Sequence, residues 1–446
     1  MRQLAERMVQ RGHEVTVATS RLRDRTSYVL NGVRIEEFGI KGNAVRGMAG
    51  EVERYREYVL NAGFDAILIK AAQQWTFDAL WPVMDQIKTR KVFVPCGFSG
   101  LYEPAYTVYF KALPDILRSF DHLIFYANKY RDIDFARQHG IEKFSIVPNG
   151  ASEIEFGKER DDAFRQRYNI PEDSFIFLTV GSLTGLKGHL ELTKAFQRLN
   201  SGKRNTFLIL NGNNPEIPAI VTPSKNDNHG SGKVEYQSGE KNGSATAFVK
   251  AVGRYPGIIW EAFFNNGWRG LLNLTGVVVQ RRFPILFPVL EKSLLLRFLD
   301  NPLDHLVSRI NSNNEYKKML LINLPRDELI QAYKNANLFV FASNVEYSPL
   351  VLFEAAAAGL PFLTVPVGNS TEIAEWTGCG IVCPADVDSR GYTKVNPRIL
   401  AKQMHELMAQ PDLLRKLGRI GHERWEENFS WAKIVVQYEK ILAGIH

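Results

Sequence analysis

The sequence predicts an α/β protein of two doubly wound, Rossmann-like domains facing a cleft, and three observations carry that expectation. Short β-branched or aromatic runs alternate with helical stretches from residue 12 to residue 150. The alternation stops at the turn Pro148-Asn149-Gly150 and restarts at residue 175. At 446 residues the chain is too long for one ordinary core. Alternation of this kind builds parallel sheets with helices on both faces.

The elements follow in order. In the opening "MRQLAERMVQRGHEVTVATS", Leu4, Met8 and Val9 recur at helical spacing, Gly12 stops the turn, and a strand follows at 15–19. A helix feeding a buried strand reads as the middle of a βαβ unit, so a strand ahead of it is expected. Further strands are expected at 33–40, 65–70, 91–96, 121–127 and 144–148, with helices near 48–62, 75–88, 105–119 and 129–139. The polar stretch "ASEIEFGKERDD" then reads as a linker, which makes 1–150 the first domain. A second domain is expected over 151–428, with strands at 175–181, 206–212, 319–323, 338–343, 361–366 and 380–384. Its helices are placed at 189–199, 326–336 and 350–359, and from 397 onward; residues 429–446 are expected to pack back toward the first domain.

The interruption at 213–318 is far longer than a normal connection. Its part 224–247 is polar and Gly/Ser-rich and reads as disordered. Its part 257–299 is apolar, with Trp260, Phe263, Phe264 and Trp268 beside Arg269, Arg281 and Arg282. Two readings stay open there: an interfacial element, or an embellishment packed on its own domain.

Composition narrows the class. Hydrophobic residues at 45% and charged residues at 23% are those of a soluble globular protein. The net charge of +7 fits an anionic partner or a general solubility charge. Three cysteines, Cys96, Cys379 and Cys383, give no disulfide framework and favour a reducing compartment, and no ligand spacing completes a zinc site. No signal peptide and no charge-free membrane span are visible, which points to the cytoplasm. The basic residues are dispersed and no nucleic-acid motif occurs.

In open α/β sheets ligands sit beyond the carboxyl ends of the strands, so the loops after 181, 212, 323 and 343 are the places for chemistry. In "VGSLTGLKGHLELTKAF" a strand ends at Gly181 and Ser182, glycines follow at 185 and 188, and Lys187 lies just before a helix. Such a loop admits phosphates to the backbone and to helix-end amides, although a plain turn with a solvated lysine fits it too. In "SNVEYSPLVLFEAAAAG" Glu346 lies in a loop and Glu354 on a helix that reads as buried. A buried carboxylate needs hydrogen-bond donors. Paired sugar hydroxyls would serve, and so would a nearby loop. Both readings stay open. The helix-start residues Ser348, Leu350 and Val351 would present free amides to a phosphate or sugar.

These segments, in this order, together with "LAERMVQRGHEVTVAT", "IVPNGASEIEF", "RDELIQAYKNANLFVFAS" and "FSWAKIVVQYEKI", resemble the family-4 retaining glycosyltransferases of GT-B fold. The resemblance implies transfer of a sugar from a nucleotide-diphosphate sugar to a glycan or glycolipid acceptor, with no cofactor and no metal. It implies that Lys187 binds the donor diphosphate, Glu346 the donor sugar and Glu354 the ribose, with the backbone near Leu324 facing the base. A cytoplasmic enzyme with a possible peripheral membrane contact follows from it. The family commonly has Arg where Ser182 stands, and many members carry a His where "VPCGFSG" has none; His122, His139 and His189 read as structural or surface residues. In the family a first strand and a Gly-rich turn precede the opening segment, so the chain reads as N-terminally shortened. The alternatives are a catalytically impaired scaffold or, on the same architecture, a nucleotide-sugar epimerase or phosphorylase.

Overall fold

The computed structural model describes residues 1–212, 302–388 and 391–445. Residues 224–247 and 257–299, on which two of the expectations above fall, lie outside the described residues.

In the first half the strands are β1 (Thr16–Ser20), β2 (Val29–Leu30), β3 (Val33–Phe38), β4 (Ile40–Asn43), β5 (Gly47–Gly50), β6 (Ala66–Lys70), β7 (Arg90–Val94), β8 (His122–Phe125) and β9 (Phe144–Ile146). β1 pairs in parallel with β3, and β6, β7, β8 and β9 form a parallel sheet in that order. Central β8 is buried along its whole length, as a strand covered on both faces must be. β1 and β6 lie in separate sheets, although Ala18 and Ile67 pack against one core.

Two expected helices are corrected. Residues 48–62 begin as strand, because glycines at 42, 47 and 50 shape a β4–β5 hairpin; the helix is Val52–Asn61. The stretch 75–88 is one α-turn, Trp75–Asp78, followed by a 3₁₀ segment, Trp81–Gln86, with Pro82 in its first turn.

The second half holds β10 (Phe175–Val180), β11 (Thr206–Asn211), β12 (Lys317–Ile322), β13 (Leu338–Phe341), β14 (Phe362–Thr364) and β15 (Gly380–Val382). They form one parallel sheet in the order β12-β11-β10-β13-β14-β15. A helix at Pro302–Asn313, inside the stretch expected to be insertion, packs on β12 and on the helix His189–Arg198. It belongs to the crossover connection that two parallel neighbours such as β11 and β12 require.

The order reverses between β10 and β13. Successive strands step one way from β10 to β12, and the other way from β13 to β15. A crevice therefore opens beyond the carboxyl ends of β10 and β13, lined by the loops 181–188 and 342–349. The linker also differs from a free tether: Ser152 caps a short helix, Glu153–Phe156, through the amide of Glu155. Buried Arg7 holds this helix at Glu153, 2.7 Å away. The chain's last helix, Trp431–Ala443, packs against the helix Arg2–Gln10 and against β6 and β7.

Gly188 sets the end of the crevice loop. Its φ is +67°, and a Cβ there would lie 1.7 Å from the Ala342 carbonyl oxygen. Gly188→Ala is expected to cost about 2 kcal/mol or more through backbone strain and this clash, read as a lower midpoint in urea unfolding.

Candidate active site

The loop after β10 is pinned to the loop after β13 at several points. The Asn344 amide donates to the Leu186 carbonyl at 2.9 Å, and the Ser343 hydroxyl oxygen lies 3.3 Å from that same carbonyl. His189 opens the next helix and closes the loop from below, its Nε2 lying 3.2 Å from the Gly181 carbonyl. Burial lowers its pKa, so the ring is a neutral prop. His122 reaches Ser145 and His139 its own helix backbone, so each has a structural contact.

With the two loops locked together, Lys187 Nζ donates to Glu346 Oε1 at 2.5 Å, and the Ser343 hydroxyl donates to the same oxygen at 3.0 Å. Both charged side chains are partly open to solvent. Gly181 and Ser182 form the strand exit beside them, and no Cβ would meet anything at Gly185. An ammonium and a carboxylate thus meet beside a loop whose Gly185 has open space around it.

Glu354 sits on the helix Leu350–Ala357, whose other residues are largely buried. Its donors come from the protein: Arg326 Nη2 reaches Oε1 at 2.7 Å and the Tyr333 hydroxyl reaches Oε2 at 3.1 Å. Arg326 also binds Glu155 at 2.8 Å. Burial alone would lower the Arg326 pKa, but its bonds to Glu155 and Glu354 hold it above the ordinary value. Burial and the neighbouring Glu354 push the Tyr333 hydroxyl well above its ordinary pKa, so it remains a donor. Sequence reasoning missed both residues. Their signal is spacing: seven apart on one helix, they lie on one face two turns from each other.

The remaining predicted residues divide. No side chain caps the helix behind Pro349, so its first amides, with exposed Leu350 and half-buried Val351, are left for solvent or ligand. The Ser348 hydroxyl is enclosed without a hydrogen-bond partner, while the Ser348 carbonyl accepts from Asn149 at 3.2 Å. Leu324 is buried and its amide donates to Asn211 Oδ1 at 2.7 Å. That amide is therefore engaged in holding the loop. Among the described residues no cluster of three or more His, Cys, Asp or Glu side chains could hold a metal. Cys379 and Cys383 are buried and free of any disulfide.

Residues 310–424 match the family described as glycosyl transferases group 1. The chain carries a glycosyl transferase group 1 domain. That domain contains Glu346 and Glu354, whereas Lys187 lies ahead of it. A D-inositol 3-phosphate glycosyltransferase from Streptomyces bingchenggensis is 33% identical over 108 residues, 24% of this chain and 22% of that protein. An N-acetyl-α-D-glucosaminyl L-malate synthase from Bacillus anthracis is 29% identical over 164 residues, 37% of this chain and 40% of its own length. The chain thus matches less than half the length of either relative. Among solved structures, a sucrose-phosphate synthase from Thermosynechococcus elongatus superimposes with a TM-score of 0.61 at 17% identity, over all of this chain and 92% of the other. Anabaena HepE in complex with UDP and glucose gives 0.58 at 13% identity, over 99% and 94%. The group 1 glycosyl transferase domain and these neighbours share one architecture, the GT-B fold.

The site also touches the first half of the chain. Tyr347, next to Glu346, accepts a hydrogen bond from the Tyr126 amide at 3.1 Å and donates to Asp132. Burial pushes the Asp132 pKa up to about 6, against hydrogen bonds from Tyr347 and from the Gly97 and Ile133 amides. A carboxyl raised in the folded state favours folding while protonated, so its contribution fades as pH climbs from about 4 to about 6. Asp132→Asn is therefore expected to gain stability relative to the parent over that interval, by up to roughly 3 kcal/mol, in thermal unfolding at pH 4.5 and pH 7.

Proposed function

We propose that the chain is a retaining glycosyltransferase that moves a sugar from a nucleotide-diphosphate sugar to a hydroxyl of a glycan or glycolipid acceptor. The observation that carries this reading is the Lys187–Glu346 pair at the switch point of the second sheet, above a glycine loop. A diphosphate entering there meets the ammonium, the uncapped start of the helix Leu350–Ala357 and open backbone near Gly185. Glu346 is then released to accept hydrogen bonds from the donor sugar.

The chemistry follows from where charge develops. As the bond from the anomeric carbon to the phosphate oxygen breaks, negative charge grows on the diphosphate, and Lys187 and the helix-end amides stabilise it. The acceptor oxygen forms its bond on the face the phosphate leaves, which retains configuration. The acceptor proton passes to the departing phosphate oxygen. Glu354 holds the ribose hydroxyls, with Arg326 falling back on Glu155 as they arrive. Neither metal nor cofactor takes part in this scheme. HepE was solved with UDP and glucose, and the curated relatives are named as glycosyltransferases or sugar-conjugate synthases, which supports the same reading.

The catalytically impaired scaffold has one observation in its favour: Arg326 and Tyr333 already occupy both oxygens of Glu354. Thermal unfolding with UDP-, GDP- and ADP-sugars separates the two, because a bound donor raises the midpoint by mass action. The transferase reading expects one donor class to shift the midpoint. It also expects Lys187→Ala and Glu346→Ala to lower transfer by roughly 100-fold or more while the unliganded midpoint stays within a few degrees. Glu354→Ala is expected to weaken donor binding about 10-fold or more, measured by calorimetry. No shift with any donor would favour the scaffold.

A further inference from the structure

Five side chains form a ladder across the two halves of the molecule. Lys70 Nζ lies 5.5 Å from the ring centre of Tyr126. The Tyr126 and Tyr347 rings are 5.6 Å apart, and those of Tyr347 and Tyr130 4.6 Å apart, each pair inclined by 34°. The Arg131 guanidinium closes the series 5.1 Å from the Tyr130 ring. Four of the five belong to the first half, at the carboxyl end of β6, just past β8, and around the start of the helix Arg131–Gln138. The middle rung, Tyr347, comes from the crevice loop of the second half. Cations over aromatic faces and offset rings at these spacings attract one another, so the insertion is favourable as well as close.

The backbone around Tyr347 is held from both sides. The Tyr130 hydroxyl donates to the Glu346 carbonyl at 2.7 Å, and Arg131 donates to that same hydroxyl at 2.9 Å. Asn369 donates its amide to the Tyr347 carbonyl at 2.8 Å and its side chain to the Tyr126 carbonyl at 3.0 Å. A Cβ on Gly97 would lie 3.0 Å from Cγ of Tyr347, so the first half is shaped to receive this ring. The peptide that carries the Glu346 carboxylate to Lys187 is thus gripped by Tyr130 of the opposite half and by Asn369 of its own.

We infer that Tyr347 and Tyr130 are positioning residues: inserted across the interface, they fix the Glu346 peptide, so contact between the two halves tightens the Lys187–Glu346 pair that the second half's own loops bring into range. This rests on the glycosyltransferase reading for its consequence in catalysis, but not for its geometry. Neither tyrosine need touch the reacting atoms. Their effect passes through Glu346, whose misplacement by an ångström is enough to slow a reaction roughly 100-fold.

The test uses the full chain with Tyr130→Phe, which removes one hydroxyl, and with Tyr347→Phe and Tyr347→Ala, which remove the hydroxyl and the rung. The first readout needs no activity: acetylation of lysines by a water-soluble acylating reagent, quantified residue by residue by mass spectrometry. Loosening Glu346 should raise modification of Lys187 by about 3- to 10-fold in Tyr130→Phe and Tyr347→Ala, with a smaller rise in Tyr347→Phe, which keeps the ring. A contact that is only structural would move the unfolding midpoint and leave Lys187 as protected as in the parent. The second readout is kinetic: kcat should fall about 10- to 100-fold while the Kd for the free nucleoside diphosphate stays within about twofold. Unchanged Lys187 labelling in both Tyr130→Phe and Tyr347→Ala overturns the inference, and so does parent-like kcat in both. If labelling rises but the parent protein binds no nucleotide sugar, the positioning role stands and the glycosyltransferase reading is what fails.

Discussion

An ammonium and a carboxylate from loops 159 residues apart meet at 2.5 Å, and the rest of the site depends on that meeting. The two charges do not hold the loops together. Partly solvated pairs contribute little on their own. The backbone brings them into range: the Leu186 carbonyl accepts from the Asn344 amide, and Gly188 lets the chain pass directly beneath the Ala342 carbonyl. The sheet order places both loops at one switch point, so the same topology that covers β10 and β13 also aims Lys187 at Glu346.

Glu354 illustrates how burial shapes a site before any ligand arrives. A carboxylate on a helix packed against the sheet must find donors or lose its charge. Arg326 and Tyr333 supply them, and Arg326 is shared with Glu155 on the linker helix. A guanidinium with five donors can keep one carboxylate while yielding another. Both Glu354 oxygens are thus satisfied within the fold, and Arg326 has a second carboxylate, Glu155, within reach.

Much of the fold was legible in the sequence because parallel strands covered on both faces are continuous apolar runs. "FIFLTV", "TFLILN" and "LFVF" could be read directly, and the helices between them follow the 3.6-residue period. What escaped has local causes. Glycines turned the start of 48–62 into a hairpin strand, Pro82 broke the period of 75–88, and the helix Pro302–Asn313 was absorbed into an apparent insertion. The charged residues of the site stood out because Lys187 and Glu346 follow strand ends, and Glu354 interrupts an apolar helix. Arg326, Tyr333, Tyr130 and Tyr347 did not, since their partners lie far away in sequence and an aromatic residue beside a strand end is ordinary core material.

The linker and the C-terminal helix share one more feature. Ala151 bridges Ser430 in parallel, its amide donating to the Phe429 carbonyl and its carbonyl accepting from the Trp431 amide. Gly150 lies so close to this returning segment that a Cβ would come within 2.1 Å of the Phe429 oxygen. The polypeptide thus passes between the halves twice, side by side and hydrogen-bonded. Two joints set next to each other constrain twisting and sliding of one half against the other more than one joint would. Cutting one passage would leave the halves joined through the other.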